Sequence, residues 1–164
     1  MSIRKANLED YPEIRRIYDT AKQYMNASGN PNQWKVGYPP KETLEEDIAK
    51  GQLYIAEEDG IWGVFAFIPG IDPTYLQIEG AWLRDAPYAA IHRIASDGTH
   101  PGLVHLAAEY CRDNIPAGTD LRIDTHKDNK TMQHVLEKNG FLPCGIIHLE
   151  NGDPRIAYQW VNRE

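Results

Sequence analysis

The chain has 164 residues, the size of one ordinary domain, and its 41% hydrophobic and 25% charged residues exclude a disordered chain. A formal net charge of -7 gives no global attraction to nucleic acid and mildly favours a partner that carries an amine. No basic-then-apolar leader opens the chain and no apolar run approaches membrane-spanning length, so a soluble, cytoplasmic protein with no membrane partner is expected.

Ser2–Lys5 reads as a short edge strand. Asn7 can cap a helix, with Asp10 three residues on as an imperfect capping box. Ile14, Ile17, Tyr18, Ala21 and Met25 then recur at helical spacing, with Pro12 near the helix start. Residues 26–40 are rich in Gly, Pro and Asn and read as a loop that carries Trp34 and Tyr38. After Pro40, Leu44 and Ile48 mark a short helix that Gly51 ends. Gln52–Glu57 and Ile61–Ile68 are strands joined by Glu58-Asp59-Gly60, and Asp-Gly between apolar runs signals a hairpin.

Tyr75–Leu83 alternates enough to predict a further strand, and Tyr88–Ala95 predicts another that ends in a long turn from Ser96 to Gly102. Leu103, Leu106, Ala107, Tyr110 and Cys111 mark a helix face, and Leu121–Thr125 a short strand. Asp128 is the expected cap of a last helix with Met132, Val135 and Leu136, stopping at Asn139-Gly140. Phe141–Leu149 and Ile156–Val161 then read as strands around the turn 151–154. Two helices, a meander and then alternating strand and helix predict one mixed α/β domain over residues 1–164. Cys111 and Cys144 sit inside these elements and read as thiols of a reducing compartment. The six histidines lack metal-ligand spacing, so no metal is expected.

The turn 96–102 feeds directly into a helix, so unpaired amides and the helix dipole favour a phosphate there. Gly98 and Gly102 permit unusual backbone angles. Behind it, LRIDTHKDNKTMQHVLEKNGFLPCGII at 121–147 runs strand, Asp-Asn helix start, helix ending Lys-Asn-Gly-Phe, strand. With HRIAS at 92–96 and the opening ANLEDYPEIRRIY, this resembles the GNAT family of N-acetyltransferases over nearly the whole chain.

The resemblance implies an α/β fold with helices on both faces of about seven strands, splayed between the fourth and fifth. It implies acetyl-CoA as co-substrate, with its pantetheine arm along Ile94, Ala95 and Ser96. Its pyrophosphate would meet the loop Thr99, His100, Gly102, Leu103 and Val104, and Asn129 would touch it at the later helix start. Two positions depart from the family pattern. Val104 and Pro101 stand in a loop usually richer in glycine and amide donors, and Leu136 stands where many members carry a tyrosine general acid.

Acetyl transfer to an amine needs a base, donors for the carbonyl oxygen and a proton for the thiolate. The oxyanion donor implied by the resemblance is backbone N–H near Ile94–Ala95. Candidate bases are Glu79, on the strand before the fourth where partial burial raises a carboxylate pKa, and His92. His92 lies two residues before Ile94 and is expected on the same face. Trp34, Tyr38 and Trp82 are candidate acceptor-site aromatics. The expected acceptor is a small-molecule primary amine, an amino acid or a peptide, with the protein a monomer or homodimer. The alternative is a GNAT-fold protein that binds acyl-CoA as a sensor or interaction module without transfer.

Overall fold

The computed structural model describes residues 1–164. Its elements are β1 (Ser2–Lys5), α1 (Tyr11–Ala27), α2 (Lys41–Ala49), β2 (Leu53–Glu57), β3 (Ile61–Pro69), β4 (Glu79–Gly80) and β5 (Tyr88–Ser96). They continue with α3 (Leu103–Asp113), β6 (Asp120–Thr125), α4 (Lys130–Lys138), β7 (Leu142–His148) and β8 (Pro154–Trp160). All eight strands form one sheet in the order β1-β2-β3-β5-β6-β8-β7-β4. The architecture is mixed α/β, with seven longer strands and β4 a two-residue bridge. No helix is long and apolar enough to cross a membrane.

Strand alternation divides the core between the two faces. Ile14, Ile17, Tyr18 and Ala21 of α1 and Leu44 of α2 pack on Leu53, Ile55, Val64 and Ala66. The intervening residues Tyr54, Phe65 and Phe67 point the other way, against Ala107, Ala108 and Cys111 of α3 and Leu136 of α4. Gly63 admits α3 to this second face: a Cβ there would stand 2.7 Å from a methyl of Leu103. The Asn7–Asp10 capping box forms, Pro12 sits in the tolerant first turn, and Asp10 binds Arg4 at 2.9 Å, tying α1 to β1. At the β2–β3 hairpin, Asp59 and Gly60 both take positive φ, as Asp-Gly predicts.

Two features of β5 position everything that follows. First, it pairs with β6 in parallel only at Tyr88, Ala89 and Ala90, opposite Asp120, Leu121 and Arg122. From Ile91 to Ser96 its edge towards β6 has no strand partner, and the sheet splays open. Second, it bulges. Ala66 of β3 faces His92 and Val64 faces Ala95, so Arg93 and Ile94 together oppose one residue of β3. Arg93 has φ +50°, a left-handed conformation costing a non-glycine residue roughly 1–2 kcal/mol.

Tertiary contacts hold that conformation. Asp47 of α2 takes both Nε and Nη2 of Arg93 at 2.9 Å, and the Tyr18 hydroxyl of α1 donates to the Arg93 carbonyl at 2.6 Å. The bulge also overturns one sequence expectation. It breaks the alternation, so His92 shares its face with Ala95, while Ile94 turns to the core beneath α3.

Two element assignments change as well. The expected strand Tyr75–Leu83 is mostly loop, because Asp72 caps a 3-10 turn at Pro73–Tyr75 and the Trp82 indole donates back to the Tyr75 carbonyl at 3.0 Å. Only Glu79–Gly80 joins the sheet, against Ile146 and Gly145 of β7. The cap of α4 is Asn129 rather than Asp128: the Asn129 side chain accepts from the Met132 amide, while the Asp128 amide is taken by His126.

Replacing Asp47 by Ala leaves the largely buried Arg93 guanidinium unpaired, so chemical denaturation is expected to show a loss of about 3 kcal/mol. A loss below about 1 kcal/mol would mean the pair does not hold the bulge.

Candidate active site

Beside the splay lies a cavity of about 560 Å³, walled by β5, β6, the loop 26–40 and the segment after β3. His92 reaches into it from β5 and Asp124 from β6, both on the sheet face that α1 and α2 cover at its other end. Asp72 arrives from the loop after β3, where it caps the Pro73 turn by accepting from the Thr74 amide and hydroxyl. The cavity therefore gathers three groups that lie 20 and 32 residues from one another in the chain only because the sheet closes around them.

His92 Nε2 lies 2.6 Å from Asp72 Oδ2, and its Nδ1 lies 3.9 Å from Asp124 Oδ2. Burial acts to raise the Asp72 pKa, but the hydrogen bond and charge of His92 and the two Thr74 donors outweigh it and bring it to about 2. An ionised Asp72 accepts a proton-bearing Nε2, which leaves Nδ1 of neutral His92 as a bare lone pair facing Asp124. Tyr75 donates its hydroxyl to Asp124 Oδ2 at 2.6 Å, and burial next to that carboxylate pushes the phenol pKa well up, so it stays a donor. Asp124 Oδ1 carries no hydrogen bond and remains free to accept.

Aromatic residues of the loop 26–40 close the top. Trp34 packs edge-on to Tyr18 and against Tyr38, and both Trp34 and Tyr38 line the cavity. Gln33 fixes this loop: its side-chain oxygen accepts from Asn30 and Asn129, and its carbonyl accepts from Arg155 at 2.6 Å.

On the far side of Ile94 lies a second groove of about 330 Å³, between α1, the start of α3 and the start of α4. It is lined by Ile94, Ala95, Ser96, His100, Gly102, Leu103, Val104 and Asn129 among others, eight of the nine residues expected there. Thr99 is the exception, exposed with its amide and hydroxyl both spent on Asp97. Gly102 takes φ +85° to turn the chain into α3, and Leu106 donates to its carbonyl. The amides of Leu103, Val104 and His105 precede that ladder and are open to an anion. These first-turn amides and the unpartnered edge of β5 suit a molecule with a phosphate at one end and peptide-like groups along its length. Val104 is half-buried against the main core, so its branched side chain packs downward as well as lining the groove. Met25, Ile94 and Met132 line both groove and cavity, which meet there.

Glu79 does not join this group. It is exposed on β4 at the outer edge of the sheet, with β8 and β7 between it and β6, and the burial expected for it is not there. Trp82 lines a different concavity, stacked on Arg122. Leu136 is fully buried in the core. Sequence reading missed Asp72, Asp124 and Tyr75. The one local signal was Asp72-Pro73-Thr74, a helix-cap pattern.

No protein-family model and no curated protein matches the chain. Among solved structures it is similar to a GNAT-family acetyltransferase from Streptococcus agalactiae, at 34% identity and TM-score 0.85, covering 99% of this chain and 96% of that one. A GNAT-family acetyltransferase from Listeria monocytogenes matches at 19% identity and TM-score 0.72, covering 98% and 94%. A ribosomal-protein-alanine N-acetyltransferase from Brucella melitensis matches at 17% identity and TM-score 0.62, covering 98% and 99%. The last two bear on the fold alone.

The low pKa of Asp72 makes a stability prediction. A folded-state value near 2 against roughly 3.9 unfolded means its contribution is complete above about pH 4 and is lost as pH falls towards 2. Urea denaturation from pH 5 to pH 2 is expected to show a loss that is about 2 kcal/mol smaller in Asp72→Asn than in the parent. Parallel curves would contradict the Asp72–His92 geometry.

Proposed function

The chain belongs to the GNAT family of acetyltransferases, and from that premise we propose that it transfers an acetyl group from acetyl-CoA to a primary amine of a small molecule, by direct attack in a ternary complex. The observation that carries this reading is the wall at Ile94, with a histidine–carboxylate cluster on one side and an amide-lined groove on the other. Acetyl-CoA, when bound, supplies the activated acyl thioester. Residues of the groove fit it: first-turn amides of α3 for its pyrophosphate, and the unpaired edge of β5 beyond Ala90 for its pantetheine amides.

The chain's own groups then divide the work. Asp124 holds the acceptor as an ammonium with its free oxygen, while Tyr75 fixes the other. His92 removes the proton at Nδ1, and Asp72, across the ring at Nε2, steadies the imidazolium that results. Backbone N–H at the Arg93–Ile94 bulge, near Ile94–Ala95, is the donor that would meet the negative charge developing on the thioester oxygen. Trp34 and Tyr38 cover the acceptor and limit water. As the new C–N bond forms and the C–S bond breaks, the nitrogen sheds its second proton to solvent. With Leu136 buried in the core, the departing thiolate takes a proton from solvent at the open groove.

Thiol release from acetyl-CoA over a panel of amines tests the proposal. His92→Gln is expected to lower kcat about 10²- to 10³-fold with acetyl-CoA affinity unchanged in titration calorimetry. Asp124→Asn is expected to raise KM for the amine about tenfold or more. Absence of acetyl-CoA binding to the parent protein would overturn the reading, and binding without release from any amine would favour a sensor.

A further inference from the structure

A third concavity, of about 830 Å³, opens on the other side of the Gly70–Ile71 loop from the acceptor cavity. Its floor is Arg122 of β6, which is 5% exposed. The guanidinium carbon sits 3.9 Å from the centre of the Trp82 ring and 4.0 Å from that of the Tyr88 ring, so two aromatic rings pack against the cation. Aromatic faces favour the charge, but they offer no acceptor to its N–H edges. Of the five N–H donors of an arginine, one finds a partner here: Nη2 donates to the Arg84 carbonyl at 3.3 Å. Nε is buried with no partner at all. No carboxylate pairs with it. Asp120, two residues away on the same strand, is claimed by Arg84 at 2.6 Å and by Gln159 and the Asn162 amide. Asp85 is the one acidic residue lining the concavity, and it is exposed and makes no ion pair.

A buried cation without a counter-charge is costly unless a partner arrives. The rest of the concavity describes that partner. Tyr75 and Trp82 form aromatic walls, and Ile71 and Leu76 stand on the rim 75% and 69% exposed, an unusual placement for such apolar side chains. With two rings against it and most of its N–H groups unpaired, the guanidinium offers a planar fork of donors that matches a carboxylate.

We propose that this concavity is a binding site for a small organic carboxylate with an apolar body, the carboxylate on Arg122 and the body between Trp82, Tyr75 and Leu76. The site is separate from the acetyl-transfer centre and stands or falls independently of it. It also gives Trp82 its place: a wall of this site rather than of the acceptor cavity. Tyr88 links the two, since its ring lies on Arg122 and its hydroxyl accepts from the Asp72 amide at 2.8 Å.

The test uses the whole protein with benzoate and hexanoate as probes and benzamide as the uncharged control. Titration calorimetry is expected to show one saturable site for the carboxylates, with Kd of about 1 mM, and at least tenfold weaker binding of benzamide. The Trp82 indole N–H is expected to shift in heteronuclear NMR spectra as the site fills. Arg122→Gln should abolish carboxylate binding. Because that change is at a buried position, Leu76→Glu at the exposed rim provides a second arm, expected to weaken benzoate at least fivefold with the fold intact. The proposal is overturned if the parent shows no saturable carboxylate binding, if benzamide binds as well as benzoate, or if binding is unchanged in folded Arg122→Gln or in Leu76→Glu.

Discussion

The ion pair between Arg93 and Asp47 is the constraint on which the functional half of the molecule rests. Arg93 occupies a left-handed backbone conformation inside a strand, a position that side chains other than glycine avoid. It persists because α2 holds its guanidinium through Asp47 and α1 holds its carbonyl through Tyr18. The N-terminal helices are thus more than a cover for one sheet face. They set the bulge of β5, and the bulge sends His92 towards one concavity and Ile94 towards the wall of the next. A regular strand would alternate strictly, putting His92 and Ile94 on one face and Ala95 on the other.

The second constraint is the early parting of β5 and β6. Only three residue pairs join them. Beyond Ala90 the strand edge is unpartnered, and the side chains of His92 and Asp124 stand on either side of the opening. Backbone groups that would normally complete a ladder are thereby released, next to the amides that begin α3. Polar groups cluster at this end because the sheet gives them no other partner. Asp72 finds His92 and Thr74, Asp124 finds Tyr75, and Arg155 finds the loop at Gln33.

Much of this fold was legible in the sequence because it rests on local rules. The face Ile14–Ile17–Tyr18–Ala21, the Asp59-Gly60 hairpin and the Asn7–Asp10 box all depend on residues close together, and all form. The groove was legible through the ordered resemblance at 92–141, and eight of its nine expected residues line one surface. The cavity was less so. The bulge depends on Asp47, 46 residues before Arg93, and no period in the strand announces it. Asp72 lies between two expected strands and Asp124 inside another, and their meeting around His92 is a product of strand order. Glu79 misled for the same reason: its place before β5 in the chain suggested proximity, but the sheet puts β4 at its outer edge, with β6, β8 and β7 in between.

Asp72 fixes His92 so that a bare Nδ1 faces Asp124, and the proposed transfer rests on that arrangement. Nitrogen-15 NMR of the His92 ring reads this directly. At a pH where the ring is neutral, the tautomer protonated at Nε2 is expected in the parent protein, and mixed tautomers once Asp72 is replaced by Asn. A neutral ring protonated at Nδ1, or a tautomer indifferent to Asp72, would contradict it.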